Sequence, residues 1–204
     1  MIGNAPALFD RLYRYDWYSD PLRDWVKSLD IQPDMQVLDL GCGTGNLTRE
    51  LAEGGVLITG VDKSDAMIKR AKRRESYAQF KADNATEMAT GAASFDVVLS
   101  ASLINVVPDP PKLLSEMARV LRGHGRACVL FPTPQFDLHH AERIIAKRRF
   151  GPFAAGAIRL WAGKARKLHP AVVVDHFTMA GFETPVVDSY LDGGLAAVTA
   201  YASG

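Results

Sequence analysis

Asp39 stands two residues before the first of three alternating glycines, in the run Val37-Leu38-Asp39-Leu40-Gly41-Cys42-Gly43-Thr44-Gly45-Asn46-Leu47-Thr48. The apolar residues before the acid and the helical spacing after the glycines place this run at a strand, turn and helix junction. Glycine at Gly41, Gly43 and Gly45 lets a ligand lie against bare backbone. A dinucleotide loop of the form GxGxxG needs its last glycine where Asn46 stands, and its pyrophosphate would meet Asp39. A Walker loop is excluded more firmly, because no Gly-Lys-Ser/Thr follows. An acid in this position suits a ligand with a positive amine or sulfonium. Asp62 closes a second apolar run in Gly60-Val61-Asp62-Lys63-Ser64, where one carboxylate can accept from both hydroxyls of a ribose. Asp83 and Asn84 follow a third run and offer an acceptor and a backbone N–H to an adenine. Met67, one turn beyond Asp62, suits either the face of a base or the core.

These groups share one site only if they sit on neighbouring strand tips, and the patterning predicts that they do. Short apolar runs at Gln36 to Leu40, Val56 to Val61, Tyr77 to Lys81, Phe95 to Leu99 and Arg126 to Phe131 alternate with helical spacing. Leu47 and Leu51 mark one helix, Met67, Ile68 and Ala71 a second behind Ser64, and Leu113, Leu114, Met117 and Leu121 a third. Such alternation predicts an α/β fold, a doubly wound parallel sheet with right-handed crossovers, whose ligands lie at the carboxyl edge. Leu8 to Leu29 reads as two helical pieces divided near Ser19-Asp20-Pro21. After Pro132 and Pro134, helices over Leu138 to Arg149 and Phe153 to Lys167 interrupt the alternation. Ala171 to Ala180 then precedes Glu183 to Tyr190 and Leu195 to Tyr201, a hairpin joined at Asp192-Gly193-Gly194. One domain over residues 1–204 is expected: a helical cover at 1–32, a ligand-binding core at 33–132, a substrate-cap insert at 135–170, and a helix with hairpin at 171–204.

The composition narrows the class. With 204 residues, 48% hydrophobic and 23% charged, the chain has the make-up of an ordinary globular domain and not of a disordered or collagen-like one. No run approaches the ~20 apolar residues of a membrane span, and the first residues lack the pattern of a signal peptide, so a cytoplasmic protein is expected. Cys42 and Cys128 stand far apart without a CxxC pair or histidine cluster, which indicates neither a disulfide framework nor a metal site. Net charge is +1, yet residues 135–170 hold eight Lys/Arg against Asp137 and Glu142. A basic segment on an acidic body fits an anionic substrate, a lipid headgroup, nucleic acid or simply a solvated helical face.

As a set, VLDLGCGTGNLT, GVDKSDAMI, FKADNAT, FDVVLSASLINVVPD and KLLSEMARVLRGHGRACVLF resemble the class I S-adenosylmethionine-dependent methyltransferases. The resemblance runs from about residue 33 to 132, with a weaker tail. It implies a Rossmann-like seven-stranded sheet with an antiparallel last strand, and S-adenosylmethionine as cofactor. It also implies that Asp39, Gly41, Gly43 and Gly45 hold the methionine part, Asp62 the ribose and Asp83 the adenine, with backbone at Asn84 and near Ser100. LINVVPDPPKLLSEMARVLR is similar to the quinone-biosynthesis C-methyltransferases, whose substrates are prenylated rings, although the glycine motif differs from theirs.

Methyl transfer is an in-line displacement that asks mainly for positioning and exclusion of water. If an oxygen or nitrogen acceptor needs a base, the candidates are His139, His140, His169 and Tyr13. Ser100 and Asn105 are better suited to lining the site. The aromatic N-terminal segment (Phe9, Tyr13, Tyr15, Trp17, Tyr18) and the basic insert with Phe150, Phe153 and Trp161 suit a small aromatic or lipophilic, anionic acceptor. Competing readings are an NAD-dependent oxidoreductase, and a non-catalytic S-adenosylmethionine- or RNA-binding module, though no nucleic-acid motif is present. Peripheral membrane contact through residues 135–170 is a further alternative. The acceptor, the methylated atom and the oligomeric state are not legible.

Overall fold

The computed structural model describes residues 5–74 and 76–204. Helices α1 (Ala5–Leu12) and α2 (Asp16–Ser28) precede a run of alternating elements: β1 (Gln36–Leu40), α3 (Asn46–Glu53), β2 (Leu57–Asp62), α4 (Asp65–Ala71), β3 (Gln79–Ala82), β4 (Phe95–Ala101), α5 (Pro110–Val120) and β5 (Leu121–Pro132). Then come α6 (Leu138–Arg148), α7 (Pro152–Lys164), α8 (Pro170–Met179), β6 (Phe182–Tyr190) and β7 (Leu195–Ala202). The strands form one seven-stranded sheet in the order β3-β2-β1-β4-β5-β7-β6. The first five run parallel, whereas β7 is antiparallel to both β5 and β6. This is the doubly wound α/β architecture with the last strand reversed. Among the described residues no helix is long and apolar enough to cross a membrane.

Alternation along the strands builds a core on each face. Leu38, Leu40, Val98, Val129, Phe131 and Val198 pack with α5 (Leu113, Leu114, Met117) and α8 (Val173, Phe177). Val37, Val97, Leu99, Cys128 and Leu130 pack on the other side with α2 (Trp25, Val26) and α3 (Leu47, Ala52). Local signals start the helices where they fall. The Ser64 side chain accepts from Met67 N–H at α4, Asp109 accepts from Lys112 N–H ahead of the prolines of α5, and Asp137 accepts from His140 N–H at α6. The insert forms its own satellite core, in which Trp17 of α2 meets Phe136, Ile144 of α6 and Ile158 of α7.

Two boundaries differ from the sequence reading. The break between the first helices falls at residues 13–15, and Pro21 lies inside α2. Proline there forfeits one helical hydrogen bond, but Trp17, Pro21 and Trp25 recur every fourth residue and are all buried. Burying two tryptophans outweighs the ~3 kcal/mol that an interior proline costs. β5 begins at Leu121 and not at Arg126, since Leu121 pairs with Phe95 across a bulge and Arg122 grips both Asp96 oxygens at 2.7 and 2.8 Å.

Two polar latches fasten α1 and α2 over the carboxyl edge of the sheet. Buried Asp10 accepts from Arg70 Nε at 2.7 Å, from Asn46 Nδ2 at 3.2 Å and from Arg74 Nη2 at 3.4 Å. Burial alone would raise the Asp10 carboxyl, but hydrogen bonds from Thr44, Arg70 and Asn46, with the Arg74 charge, outweigh it and hold the group below its usual range. Glu50 of α3 forms the second latch. It takes both forks of Arg23, at 3.0 and 2.7 Å, and the hydroxyl of Tyr13 at 2.9 Å.

Candidate active site at the strand tips

The three glycines of the first loop all adopt left-handed backbone, with φ of +76° at Gly41, +55° at Gly43 and +71° at Gly45, which side chains rarely tolerate. Four of the loop's backbone donors are used within the protein. Gly41 and Cys42 N–H both reach Val61 carbonyl, at 2.7 and 3.0 Å, Gly45 N–H reaches Cys42 carbonyl at 2.9 Å, and Gly43 N–H reaches Asp62 Oδ2 at 3.0 Å. With the Gly43 N–H taken by the Asp62 carboxylate, a diphosphate at this turn would meet negative charge, unlike a ligand with hydroxyls or a positive end.

Beside the loop lies a cavity of about 390 Å³. Its floor carries Asp39, Gly41 to Thr44, Asn46, Asp62, Lys63, Met67, and Asn84 to Thr86. Its roof and far wall are apolar and aromatic: Phe9 of α1, Tyr13 between α1 and α2, Tyr18 and Leu22 of α2, Leu103, Val106, Val107 and Pro108 around the β4 exit, and Trp161 of α7. Parallel pairing aligns the tips, with Asp39 beside Gly60 and Asp62 beside Ala82. Each Asp62 oxygen accepts one backbone N–H, Gly43 on Oδ2 and Ser64 on Oδ1 at 2.8 Å, which leaves lone-pair capacity on both. Asp39 is buried and accepts from Thr48 Oγ1 at 2.7 Å. Burial pushes its carboxyl up to about 7, against the Thr48 hydrogen bond and with the help of the Asp62 charge.

The structure therefore brings Asp39, Gly41, Gly43, Asp62, Met67 and Asn84 together on one wall. Gly45, Asp83 and Ser100 are placed elsewhere. A Cβ on Gly45 would run into the Phe80 ring and Ala71, so this glycine is demanded by packing. Asp83 turns its carboxylate to Asn84 and Ala89 N–H, at 2.8 and 3.0 Å, and shapes the turn that presents Asn84. Ser100 is buried and donates to Leu40 carbonyl at 2.9 Å, tying β4 to β1. Asn105 is likewise buried outside the cavity lining.

The base candidates fare differently from one another. His139 is exposed and His140 is buried between Leu191 carbonyl and Arg143, both outside the cavity, and His169 caps α8. Tyr13 does line the cavity, but burial and the neighbouring Glu50 raise its phenol well above the ordinary range, which suits a donor and not a base. Thr44, Asn46, Lys63 and Ser102 complete the wall without having been singled out. The first three flank Gly43 or Asp62 directly and were within reach of a spacing argument. Ser102 was not, because its place follows from a left-handed backbone (φ +56°) just past β4.

Three comparisons bear on this site. Residues 38–129 match the family described as "Methyltransferase domain". The demethylmenaquinone methyltransferase of Beutenbergia cavernae is 39% identical over 143 residues, 64% of this chain and 59% of that protein. The ubiquinone biosynthesis O-methyltransferase of Coxiella burnetii is 32% identical over 94 residues, 44% of this chain and 40% of that protein. The chain thus spans well under two thirds of the length of these relatives. Among solved structures, an S-adenosylmethionine-dependent methyltransferase from Thermotoga maritima superposes with a TM-score of 0.69 at 21% identity, over 97% of this chain and 96% of that one, which establishes the shared fold.

The glycines make separable predictions. A Cβ on Gly43 meets nothing within 4 Å and would project into open space, whereas one on Gly45 strikes Phe80. Gly43→Val is expected to abolish ligand binding by calorimetry at a modest loss of melting temperature, and Gly45→Ala to lower the melting temperature more. Asp39 makes a pH prediction. Its folded pKa lies above its unfolded one, so ionisation of Asp39 opposes folding increasingly from about pH 4 to about pH 7. Asp39→Asn, which keeps an acceptor for Thr48, should therefore stabilise the protein in urea titrations, with a gain that grows over that interval and is larger at pH 8 than at pH 5.

Proposed function

We propose that the chain is a class I S-adenosylmethionine-dependent methyltransferase, a reading that the match over residues 38–129 and the methyltransferase relatives support, and that it transfers a methyl group from S-adenosylmethionine to a small aromatic or lipophilic acceptor. The observation that carries this reading is the Asp62 carboxylate, with acceptor capacity left on each oxygen, on the wall that also holds Asp39 and Asn84. In this reading Asp62 holds the ribose hydroxyls, the Asn84 to Thr86 turn and Met67 flank the adenine, and Asp39 supplies negative charge toward the amino acid part. The adenosyl group fills the polar floor, so the sulfonium methyl points into the aromatic half. There Phe9, Tyr13, Tyr18, Leu22 and Trp161 exclude water and align the acceptor for in-line attack. The two quinone-biosynthesis relatives support a ring-shaped acceptor. An NAD-dependent oxidoreductase is disfavoured by the Asp62 carboxylate bonded to Gly43 N–H, which sets negative charge against the turn where a diphosphate would approach.

The basic insert does not line the cavity, apart from Trp161. Several of its cations are neutralised at home: Arg159 on Glu142 at 2.6 Å, Arg148 on Asp20 at 3.6 Å and Lys147 on Asp192 at 3.7 Å. The insert thus supplies no counter-charge inside the cavity, where the lining cation is Lys63 of the floor. What the insert does present is exposed Leu138 and Leu160 among the surface cations Arg143, Arg149, Lys164 and Arg166. A second reading follows: α6 and α7 rest on an anionic lipid surface, beside the wall through which a lipophilic acceptor would enter.

Two measurements test these readings. S-adenosylhomocysteine should bind in calorimetry while NAD does not, and Asp62→Ala should weaken it by about 1.5–3 kcal/mol, roughly 10- to 150-fold, without unfolding the chain. Unaltered affinity in that variant would remove the ribose assignment. For the insert, the protein should float with vesicles of phosphatidylglycerol and phosphatidylcholine and not with phosphatidylcholine alone. Loss of flotation in Leu160→Glu is the expected outcome, and equal flotation with both vesicles would rule out the lipid reading.

A further inference from the structure

Among the described residues, the aromatic half of the cavity carries two donors with nothing to bond, the Trp161 indole N–H and one hydroxyl. Asp39, Asp62 and Lys63, the ionisable side chains of the floor, all belong to the strand-tip side. On the aromatic side the Tyr13 hydroxyl is committed to Glu50 at 2.9 Å. Tyr18 is not committed. Its ring is held by Tyr13, Trp17 and Trp161, with centroids 6.4, 5.7 and 5.8 Å away, so it has little freedom to swing aside. Among the described residues its hydroxyl has no hydrogen-bond partner, and it is absent from the fully enclosed polar atoms that lack one. Tyr18 lines the cavity, and its hydroxyl, neither paired nor fully enclosed, keeps its donor for a partner from outside the protein.

Resting on the transferase reading above, we propose that Tyr18 selects and orients the acceptor through this hydroxyl, and that the acceptor is an uncharged aromatic ring bearing an oxygen. Burial pushes the Tyr18 phenol up to about 12, so it stays protonated and donates. An acceptor oxygen satisfies it, whereas a bare hydrocarbon of the same shape leaves it dry and unpaired, and that asymmetry discriminates more sharply than added contact area. A carboxylate entering the same space would lose its water without meeting a cation. The packed rings around Tyr18 supply the flat apolar surface that the body of the acceptor needs.

The test uses the full chain saturated with S-adenosylhomocysteine and four probes of one shape, namely naphthalene, 1-naphthol, 1-naphthoate and 1-naphthylmethylammonium, followed by tryptophan fluorescence. 1-Naphthol should bind at least tenfold more tightly than the other three. Tyr18→Phe should erase that advantage and leave naphthalene unchanged within twofold. Equal losses for naphthol and naphthalene would mean that Tyr18 only packs, and tighter binding of the carboxylate or of the ammonium would overturn the uncharged class. Absence of binding by every naphthyl probe to the loaded protein would also overturn the proposal. Failure of S-adenosylhomocysteine itself to bind is a different result, and it strikes the transferase reading instead.

Discussion

One carboxylate joins the two halves of the cofactor wall. Asp62, at the end of β2, accepts the Gly43 N–H on one oxygen and the Ser64 N–H on the other, and so pins the glycine loop after β1 to the first turn of α4. This bond consumes a donor that a phosphate-binding loop would display, and it leaves negative charge where such a loop offers positive dipole. With Asp39 buried just behind, the wall favours a ligand with hydroxyls and a positive end. Parallel register sets these acids side by side, and no long-range rearrangement is needed to assemble them.

The cavity's second half is built by different means. Its aromatic roof comes from α1, α2 and α7, elements outside the alternating core, and polar clasps fix it: Asp10 to Arg70, Arg74 and Asn46, and Glu50 to Arg23 and Tyr13. Asn46 takes part in the Asp10 clasp and also lines the cavity, so the cover and the floor meet at one side chain. An apolar roof over a charged floor strengthens each floor contact by lowering the local dielectric.

Much of this was legible because strand-ending acids and alternating glycines report local geometry. An apolar run, a turn and an acid put Asp39 and Asp62 at tips in any parallel sheet. Gly45 shows where that logic stops: it has the same spacing as Gly41 and Gly43, yet the ring of Phe80, from a strand two places away, decides its role. Asp83 was read as reaching a ligand; it lies outside the cavity lining, and its carboxylate shapes the turn through Asn84 and Ala89 N–H. Pro21 marked a break that the burial of Trp17 and Trp25 overrides. The adjacent histidines at 139 and 140 looked chemical in a linear string, but the α6 helix turns one to solvent and buries the other under Leu191. For Gly45 and His140 a partner distant in sequence decided the outcome.

The aromatic contact between Trp17 and Trp161 also bears on the order of assembly. The first helices leave the ribosome long before α7 exists, and α3, which carries Glu50, comes only after β1. Trp25 meets β1 and α3, which follow it closely, but Trp17 gains its native partners only with Phe136, α6 and α7, so its end of α2 docks later. The roof over the cavity is therefore closed by a contact between residues far apart in the chain, and it is complete only after α7 has formed.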